Sequence, residues 1–364
     1  MKSHGGFEGN AQTLRILSRL EKRQTFPVKD GASFQPLDSG KENRAGLNLT
    51  YRTLAAVLKY DNEIPLVHTD RKNEDEICKG YYSTEADVVG KIKAAIPHKP
   101  GSEFRTVECC IMDIADDIAY STYDLEDAFK AQFLTPLSIT GLPEDVRTKA
   151  IGTIQKRLDR YYKHLPSKAR RFDHADLLNT LLTIFVAVYQ DSADYIEHLD
   201  ELDSFATAFV ATDAAFALAM ELVSNGYPRT KLTSDLVANF IAGIEVEPNN
   251  EYPAQTIVRL NVETFKQVEA LKNVTYQSLI MSPRLKVAEH RGKQIVGEIF
   301  DALKTREGHL LMPDDARYLH DKMSGTANKL RVICDFIGCM TDRYALHFYN
   351  RLFGTNHESI YAPL

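Results

Sequence analysis

An acidic stripe runs along one predicted helix, Ile111–Lys130. At 100° per residue, the apolar side chains of this segment gather on one face and the aspartates fall within an arc of about 100° opposite them. Carboxylates spaced in this way repel each other, so a bound cation would offset the repulsion. The pattern fits either a divalent-metal site based on Asp116 or a solvated acidic helix face. The stripe consists of Asp113, Asp116, Asp117, Tyr120, Asp124 and Asp127.

A basic run covers Arg147–Arg171, with Tyr161 and Tyr162 between its cations. Cationic side chains and interleaved aromatic rings suit the backbone and the bases of a single-stranded nucleic acid. An exposed basic helix face is the alternative interpretation. The cations of the run include Lys149, Lys156, Arg157, Arg160, Lys163, Lys168, Arg170 and Arg171.

The elements that must position these residues are predicted to be helices. Apolar residues recur at spacings of three and four, as in Leu14–Leu20 and Leu177–Val188. Thr256–Leu260 is a short β-branched run that fits a strand or a loop, and the polar segment Thr25–Ala45 is predicted to be a long exposed loop. Helix boundaries are expected at Pro97–Gly101, Gly141–Pro143, Asn225–Pro228 and Glu247–Pro253.

Composition narrows the class of protein. With 364 residues, 44% of them hydrophobic and 26% charged, the chain can bury the core of one large domain or two. No stretch has the apolar length of a membrane span or a signal peptide, which predicts a cytoplasmic protein. The five cysteines form no CxxC pair, which argues against a disulfide framework and a thiolate zinc site. A net charge of -6 still permits a local basic face.

The segment ADDIAYSTYDLEDA, Ala115–Ala128, closely resembles the last metal-ligand motif of the bacterial dGTPase family in the HD superfamily. Four more segments resemble the same family in the same order: Gly5–Ile16, Leu47–Tyr60, Lys79–Tyr82 and Arg331–Ala345. The resemblance implies an all-α, HD-domain-type helical bundle with a helical C-terminal extension. Residues 1–135 would then be the catalytic core, and residues 136–364 would complete the core and make oligomer contacts.

The resemblance also implies a reaction, the hydrolysis of dGTP or another dNTP to a deoxynucleoside and inorganic triphosphate by metal-activated water. The metal would be Mg²⁺ or Mn²⁺, with Asp116 as a ligand. Family members assemble into homo-oligomers, often hexamers, and respond to single-stranded DNA, for which Arg147–Arg171 is the candidate surface. The residues that correspond to the family's nucleotide-binding positions are Asn10, Lys59, Tyr60, Lys79, Tyr120, Asp124 and Arg331.

One departure from the family concerns the other metal ligands. The family carries a His and a His-Asp pair upstream of GFEGNAQ and a further His that acts on the phosphate, whereas Met1 stands six residues before Phe7. His320-Asp321 follows Asp116, against the family order, and is expected on a surface helix. We therefore expect an incomplete hydrolytic centre with no catalytic residue identified. The alternatives are an inactive regulator that binds dNTP or single-stranded DNA, and an assembly partner of a separate N-terminal piece.

Overall fold

Helices make up most of the computed structural model, which describes residues 4–26, 37–38, 41–67, 77–185 and 204–354. This confirms the predicted all-α class. Within the described residues, no helix is long and apolar enough to cross a membrane. All five cysteines are free thiols, as their spacing predicted.

The chain falls into two compact units, each assembled from separated stretches of sequence. The first contains residues 1–110, 248–257 and 288–364, and the second contains residues 111–247 and 258–287. The division into residues 1–135 and 136–364 stays a prediction.

The helices of the described residues are numbered in chain order. The first eight are α1 Gly9–Arg15, α2 Tyr51–Val57, α3 Ala86–Ala95, α4 Val107–Lys130, α5 Pro136–Thr140, α6 Glu144–Tyr161, α7 Ser167–Arg170 and α8 His174–Ile184. After the next described residue, Ser204, follow α9 Ser204–Ser224, α10 Gly226–Ala242, α11 Val262–Thr275, α12 Pro283–Leu303, α13 Asp314–Lys322, α14 Thr326–Gly338 and α15 Asp342–Phe353. A π-helical turn, Ile16–Leu20, continues α1.

Polar side chains start several of these helices. Thr50 caps α2, and Asp173 begins α8 with a capping box that also uses Asp176. Asn225 caps α10 directly after Ser224, the last residue of α9. Each cap accepts a hydrogen bond from an N–H group that the helix itself leaves unpaired. The ends of the helices also confirm three of the four expected helix boundaries, those at residues 97–101, 141–143 and 225–228.

The prediction that Glu247–Pro253 ends one helix and starts another was wrong. This segment joins a strand, Ile244–Glu247, to a 3₁₀ turn, Pro253–Gln255, and not one helix to another. The strand pairs with Ile257–Leu260, so the β-branched run adopts the extended form. We name these strands β5 and β6, because four short strands precede them: β1 Gln24–Thr25, β2 Leu37–Asp38, β3 Lys41–Glu42 and β4 Arg44–Gly46.

The predicted loop Thr25–Ala45 is only partly described, since residues 27–36 and 39–40 lie outside the described ranges. Its ends pair as the antiparallel strands β1 and β4, and β2 pairs with β3. Gly46 ends β4 with a φ of 56°, and a Cβ there would lie 2.2 Å from the Leu17 carbonyl oxygen. Only glycine fits this close approach of two backbone segments.

The first unit has three apolar clusters among its described residues, the smallest of which joins Ala11, Ile64 and Tyr82. In the second, α2 and α3 bury residues three and four apart, including Leu54, Leu58 and Ile92. In the third, α12, α14 and α15 pack Ile299, Ile333 and Phe348 together. The last two follow from the three- and four-residue spacing that predicted helices.

In the second unit, α11 packs against α6 and α8. The buried face of α6 is formed by Ala150, Ile154 and Leu158, which lie four residues apart. Tyr162 packs on Phe265 of α11 with ring centroids 4.9 Å apart, and its hydroxyl donates to the Leu260 carbonyl. Burial raises the pKa of Tyr162. This packing holds α6 and α11 beside each other, so that charged side chains of the two helices can pair.

Candidate functional site

The exposed face of α4 carries the predicted metal ligand. Asp116 is exposed on this face, and Tyr120 is 53% exposed one turn further along. Thr122 is buried on another face, where its hydroxyl donates to the Ile118 carbonyl. The helix thus holds Asp116 and Tyr120 side by side on its exposed face. Tyr123, which the sequence did not single out, is 54% exposed on the same face.

Asp124 lies further along the same helix and is partly buried. Burial raises the pKa of its carboxyl group, and the negative charge of Asp127 adds to the effect. A raised pKa means that the ionised form is disfavoured at this place, so a cation close to Asp124 would favour the carboxylate.

Asp117 differs from the rest of the predicted acidic stripe. Its Oδ2 accepts a hydrogen bond from Arg157 of α6 at 3.0 Å, and its Oδ1 accepts one from Lys272 of α11. Arg157 also lies 2.9 Å from Glu269 Oε1, an ion pair whose angle is too bent for a hydrogen bond. The interpretation of Asp117 as part of an open stripe was therefore wrong. We call Asp117, Arg157, Glu269 and Lys272 the Asp117 cluster.

The residues of α4 do not by themselves form a complete metal site. Within the described ranges, no three His, Cys, Asp or Glu side chains come close enough together to hold a metal ion. Catalytic metal sites in proteins use about three protein ligands. Asp116 therefore stands as a single candidate ligand.

In the first unit, two predicted nucleotide-binding residues lie together. Lys79 Nζ is 3.3 Å from the Tyr60 hydroxyl and 5.2 Å from the centroid of its ring. The Lys79 carbonyl accepts a hydrogen bond from Asn62 Nδ2 at 2.7 Å, which ties the two segments to each other. Lys79 is exposed, so its ammonium group is available to an anion, whereas Lys59 is partly buried. A cation beside a phenol can contact a phosphate and a sugar together.

Asn10 and Glu8 make a local structure at the start of α1. Asn10 Nδ2 donates to Glu8 Oε1 at 2.7 Å, while Glu8 Oε2 accepts from the Ala11 N–H group. Asn10 therefore supports the carboxylate that caps the helix. Its proposed contact with a nucleotide would need the amide oxygen or a rearrangement of this bond.

Arg331 is predicted to bind phosphate, and the structure places it in a buried position. It is 6% exposed, and its guanidinium lies over the Tyr82 ring at 3.6 Å. Nη2 donates to the Gly6 carbonyl at 2.8 Å, and Nη1 is buried without a hydrogen-bond partner. Arg331 thus already stabilises the turn before α1.

Arg15 is the centre of a buried ion cluster that the sequence did not reveal. Its guanidinium donates to Glu85 at 2.6 Å and to Asp335 at 2.8 Å, and it lies 3.2 Å from Glu42. Burial lowers the pKa of Arg15, but the three carboxylates outweigh burial and raise it well above its ordinary value. Burial raises the pKa of Glu85, against the attraction of Arg15. We call Arg15, Glu42, Glu85 and Asp335 the Arg15 cluster.

His320 and Asp321 lie on α13, as expected for a surface helix. His320 stacks on His309 with ring centroids 5.1 Å apart, and its Nδ1 is 3.4 Å from Asp321 Oδ1. Burial lowers the pKa of His320. His309 Nε2 also lies 3.7 Å from Asp321 Oδ1, but within the described residues no three such side chains come close enough together to hold a metal ion.

Most of the basic run is exposed, but not all of it. Lys149, Lys156 and Arg160 lie on the outer face of α6. Arg157 turns inward to the Asp117 cluster, and Arg170 pairs with Asp159 at 2.8 Å. The run is therefore divided between surface cations and cations that hold the second unit together.

A cavity of about 320 Å³ lies in the first unit. Apolar residues such as Leu319, Phe336 and Tyr344 line much of it, together with Lys22 and Cys339. None of the predicted site residues contributes to its wall.

The helical fold and the comparisons together define the class of protein. Residues 258–351 match a family described as the phosphohydrolase-associated domain. The whole chain aligns with the deoxyguanosinetriphosphate triphosphohydrolase-like protein 2 of Mesorhizobium japonicum at 36% identity over 75% of that relative. The chain therefore belongs to the deoxyguanosinetriphosphate triphosphohydrolase-like family of the HD superfamily, as the sequence motifs predicted.

More distant relatives give the same result. A deoxyguanosinetriphosphate triphosphohydrolase-like protein of Aliivibrio fischeri strain ES114 is 27% identical, with 97% of this chain and 71% of the relative aligned. Another, from Deinococcus radiodurans, is 25% identical, with 99% of this chain and 71% of the relative aligned. The likeness therefore extends over nearly the whole chain and is not confined to the motifs.

Proposed function

We propose that this protein is a deoxynucleoside triphosphate triphosphohydrolase, which takes dGTP or another dNTP and water to a deoxynucleoside and inorganic triphosphate. The observation that carries the proposal is the 36% identity, over the whole chain, to a relative whose name states this class of activity. The exposed acidic and aromatic face of α4 supports it. Magnesium or manganese, with Asp116 as one ligand, is part of the proposal.

On α4, we propose that Tyr120 packs against the deoxyribose, where a ring would disfavour a 2′-hydroxyl. Asp124 would lie near the phosphates or the ribose. In the first unit, Lys79 would place its charge against the triphosphate, with Tyr60 orienting the ammonium group. Lys59, Asn10 and Arg331 are proposed to contribute further nucleotide contacts.

The test measures the products formed from dGTP in the presence of Mn²⁺, separated by ion-exchange chromatography. Release of inorganic triphosphate and deoxyguanosine is expected, with loss of the activity in Asp116→Ala. The matched control is Asp213→Ala, which removes an exposed carboxylate from α9, a helix with no assigned role. Release of pyrophosphate with dGMP, or equal activity in Asp116→Ala, would contradict the proposal.

A second experiment addresses the lysine in the first unit. Lys79→Met is expected to weaken dGTP binding by about 10- to 150-fold, because a charged contact to phosphate is worth about 1.5–3 kcal/mol. Lys91→Met is the control, since Lys91 is another exposed lysine, 5.9 Å from the Phe26 ring centroid, with no assigned role. Equal affinities of the two variants would remove Lys79 from the site.

A regulator that binds nucleotide without hydrolysing it is the second candidate. It is favoured by the lack of any three-ligand metal group within the described ranges. Saturable binding of a non-hydrolysable dGTP analogue, with no triphosphate released from dGTP under any divalent metal, is the result that would favour this candidate over the enzyme.

Binding of single-stranded DNA is proposed for the outer face of α6. Lys149, Lys156 and Arg160 are exposed there, and they lie within about 40° of each other at 100° per residue. Changing all three to Ser should weaken binding of an oligothymidylate and flatten its dependence on salt. Unchanged binding would remove this face as the DNA surface. The control is a triple change of exposed, ion-paired lysines outside α6: Lys231, Lys293 and Lys304.

We also propose that the protein is a homo-oligomer. Light scattering coupled to gel filtration tests this directly. The mass of a single chain, unchanged with concentration and with added dGTP, would contradict it.

A further inference from the structure

The cavity of the first unit has the size of a small-molecule site. Its volume of about 320 Å³ lies within the range of about 300–1,000 Å³ that is typical of pockets for small ligands. Residues of α13 line it together with α14, α15 and the segment that joins these two helices. Leu20, Lys22, Arg44 and Pro313 lie outside these helices and also line the cavity. All of these residues belong to the first unit.

Much of the cavity wall is apolar and includes two aromatic rings. Phe336 and Tyr344 meet edge to face, with ring centroids 6.5 Å apart and an interplanar angle of 84°. Aromatic rings attract a further ring in offset or edge-to-face arrangements, and removing apolar surface from water favours binding. The wall therefore suits a flat, apolar molecule. Its other apolar residues include Leu20, Ala316, Leu319, Val332 and Met340.

Four charged residues also line the cavity, and each already has a partner of opposite charge. Lys22 pairs with Asp315. Arg44 pairs with Glu42, and Asp335 is a member of the Arg15 cluster. A charged ligand of either sign would have to break one of these ion pairs or lie beside a like charge, and it would lose water of hydration against the apolar wall. These charges therefore favour an uncharged ligand.

The remaining polar groups of the wall are uncharged. Thr341 Oγ1 accepts a hydrogen bond from the Tyr344 N–H group at 3.2 Å and so caps α15. Burial raises the pKa of the Cys339 thiol and the pKa of the Tyr344 phenol, so both groups keep their protons at neutral pH. A phenol and a thiol can exchange a hydrogen bond with an alcohol or a carbonyl oxygen.

We propose that this cavity binds an uncharged, mainly apolar small molecule with one or two fused aromatic rings. The volume limits the size of the ligand, the apolar wall with its two rings selects an aromatic body, and the paired charges select against ions. The site goes beyond the proposed hydrolysis, because none of the residues proposed to bind the nucleotide lines the cavity.

The first experiment measures the melting temperature of the complete chain with three naphthalenes that carry their substituent at the same ring position. The probes are naphthalenemethanol, which is uncharged, naphthoate and naphthylmethylammonium. Naphthalenemethanol should raise the melting temperature saturably, because it binds the folded chain, and the two ions should bind at least about tenfold more weakly. No saturable rise with the alcohol, or equal binding of either ion, would overturn the proposal.

The thiol of Cys339 reports where the probe binds. Alkylation by iodoacetamide, followed by mass spectrometry of the peptides, gives the rate of reaction at each cysteine. Saturating naphthalenemethanol should slow the reaction of Cys339 severalfold and leave that of Cys78 unchanged, since Cys78 is a partly exposed free thiol that does not line the cavity. Equal rates at Cys339 with and without the probe would overturn the assignment of the site to this cavity.

A pair of variants tests whether the volume of the cavity is needed. Ala316→Phe places a ring inside the cavity, whereas Ala288→Phe places the same ring at an exposed position of α12 that does not line it. Ala316→Phe should lose the rise in melting temperature that naphthalenemethanol gives, and Ala288→Phe should retain it. The same response in both variants would contradict the proposal.

A third variant tests the preference for an uncharged ligand without disturbing the apolar wall. The Lys22 side chain is 74% exposed, so Lys22→Met should leave the fold intact and leave Asp315 without its cation. Naphthalenemethanol should bind within about twofold of its affinity for the unchanged protein, while naphthylmethylammonium should bind at least about threefold more tightly. Loss of naphthalenemethanol binding would show that a charge holds the ligand and would overturn the proposed class.

A side chain from a second copy of this chain is the other occupant that such a cavity could hold. Light scattering coupled to gel filtration distinguishes it from a small molecule. The molecular mass should be the same for Ala316→Phe, for Ala288→Phe and for the unchanged protein with saturating naphthalenemethanol. A lower mass caused by both Ala316→Phe and the probe would assign the cavity to contact between copies and overturn the proposal.

Discussion

The Arg15 cluster and the Asp117 cluster each pair an arginine with a buried carboxylate, but the two arginines differ in their exposure to water. Both place an arginine against a fully buried glutamate, Glu85 in the first unit and Glu269 in the second. The Arg15 side chain is 2% exposed, whereas Arg157 is 27% exposed. In the Arg15 cluster, Arg15 faces three carboxylates, of which Glu42 also pairs with Arg44, while the Asp117 cluster balances two cations with two carboxylates.

This difference indicates different roles. A charge that is fully withdrawn from water is costly to leave unpaired, so breaking the Arg15 cluster should strongly lower the free energy of unfolding. A charge that water still reaches costs less to expose, so the Asp117 cluster can serve placement of a helix more than stability. The free energies of unfolding in urea, measured for variants of the two clusters, test this difference.

The largest effect is expected at Arg15. Arg15→Met should lower the free energy of unfolding by about 3–5 kcal/mol, because three carboxylates would be left without their shared cation. Arg23→Met, at an exposed arginine of the same N-terminal region, is the control and should change it by less than about 0.5 kcal/mol. Similar values for the two variants would contradict the contrast.

A pH-dependent effect is expected at Glu42. Burial raises the pKa of this carboxyl group, but Arg15 and Arg44 outweigh burial and lower it. A lowered folded pKa gives stability that is present above the unfolded value, about 4.3, and is lost as the pH falls through the folded value. Glu42→Gln should therefore lower the free energy of unfolding by about 1.5–3 kcal/mol at neutral pH.

The same measurement is then repeated at lower pH. The difference between Glu42→Gln and the unchanged protein should shrink steadily once the pH drops below about 4.3. A difference that stays constant with pH would mean that the ionised form of Glu42 is not what the cluster stabilises.

A smaller effect is expected at Lys272. Lys272→Met removes one of two cations from Asp117, and the side chain is 29% exposed, so water takes over part of the contact. We expect a loss of about 1–2 kcal/mol in the free energy of unfolding. Lys266→Met, on the same helix and paired with Glu263, is the control. A loss as large as that of Arg15→Met would erase the difference between the clusters.

The smallest effect is expected at the exposed pair of Arg52 and Glu108, whose side chains are 44% and 39% exposed. Glu108→Gln should change the free energy of unfolding by no more than about 1 kcal/mol, and less at high salt, since solvent screens the pair. Urea unfolding at two ionic strengths checks this. A larger effect that does not decrease at high salt would show that the exposure of an ion pair does not predict its contribution to the free energy of unfolding.

Much of the fold could be predicted from the sequence because it depends on local periodicity. The apolar spacing of Ile111–Lys130 predicted α4, and the structure confirms a helix from Val107 to Lys130. Pro143 and Asn225 marked helix starts through their backbone and side-chain preferences. The exposure of Asp116 and Tyr120 followed from the same periodicity, since they lie opposite the apolar face.

The pairing of distant residues could not be predicted in this way. Asp117 lies about 100° around α4 from Asp116 and within the same acidic arc. Only its contacts with α6 and α11 distinguish it from the exposed acids. Arg157 looked like one more cation of a basic run, and Arg15 stands in a motif that resembles a nucleotide site. Their partners are tens to hundreds of residues away in the chain.

The sequence by itself determined the family, the helical class and the open face of α4, because motifs and periodicity are local properties of the chain. The tertiary structure decided which charges face water and which face each other, because that depends on which helices pack together. Asp116 and Asp117 show this most clearly: they are identical, adjacent residues, and only the neighbouring helices leave the first open and hold the second.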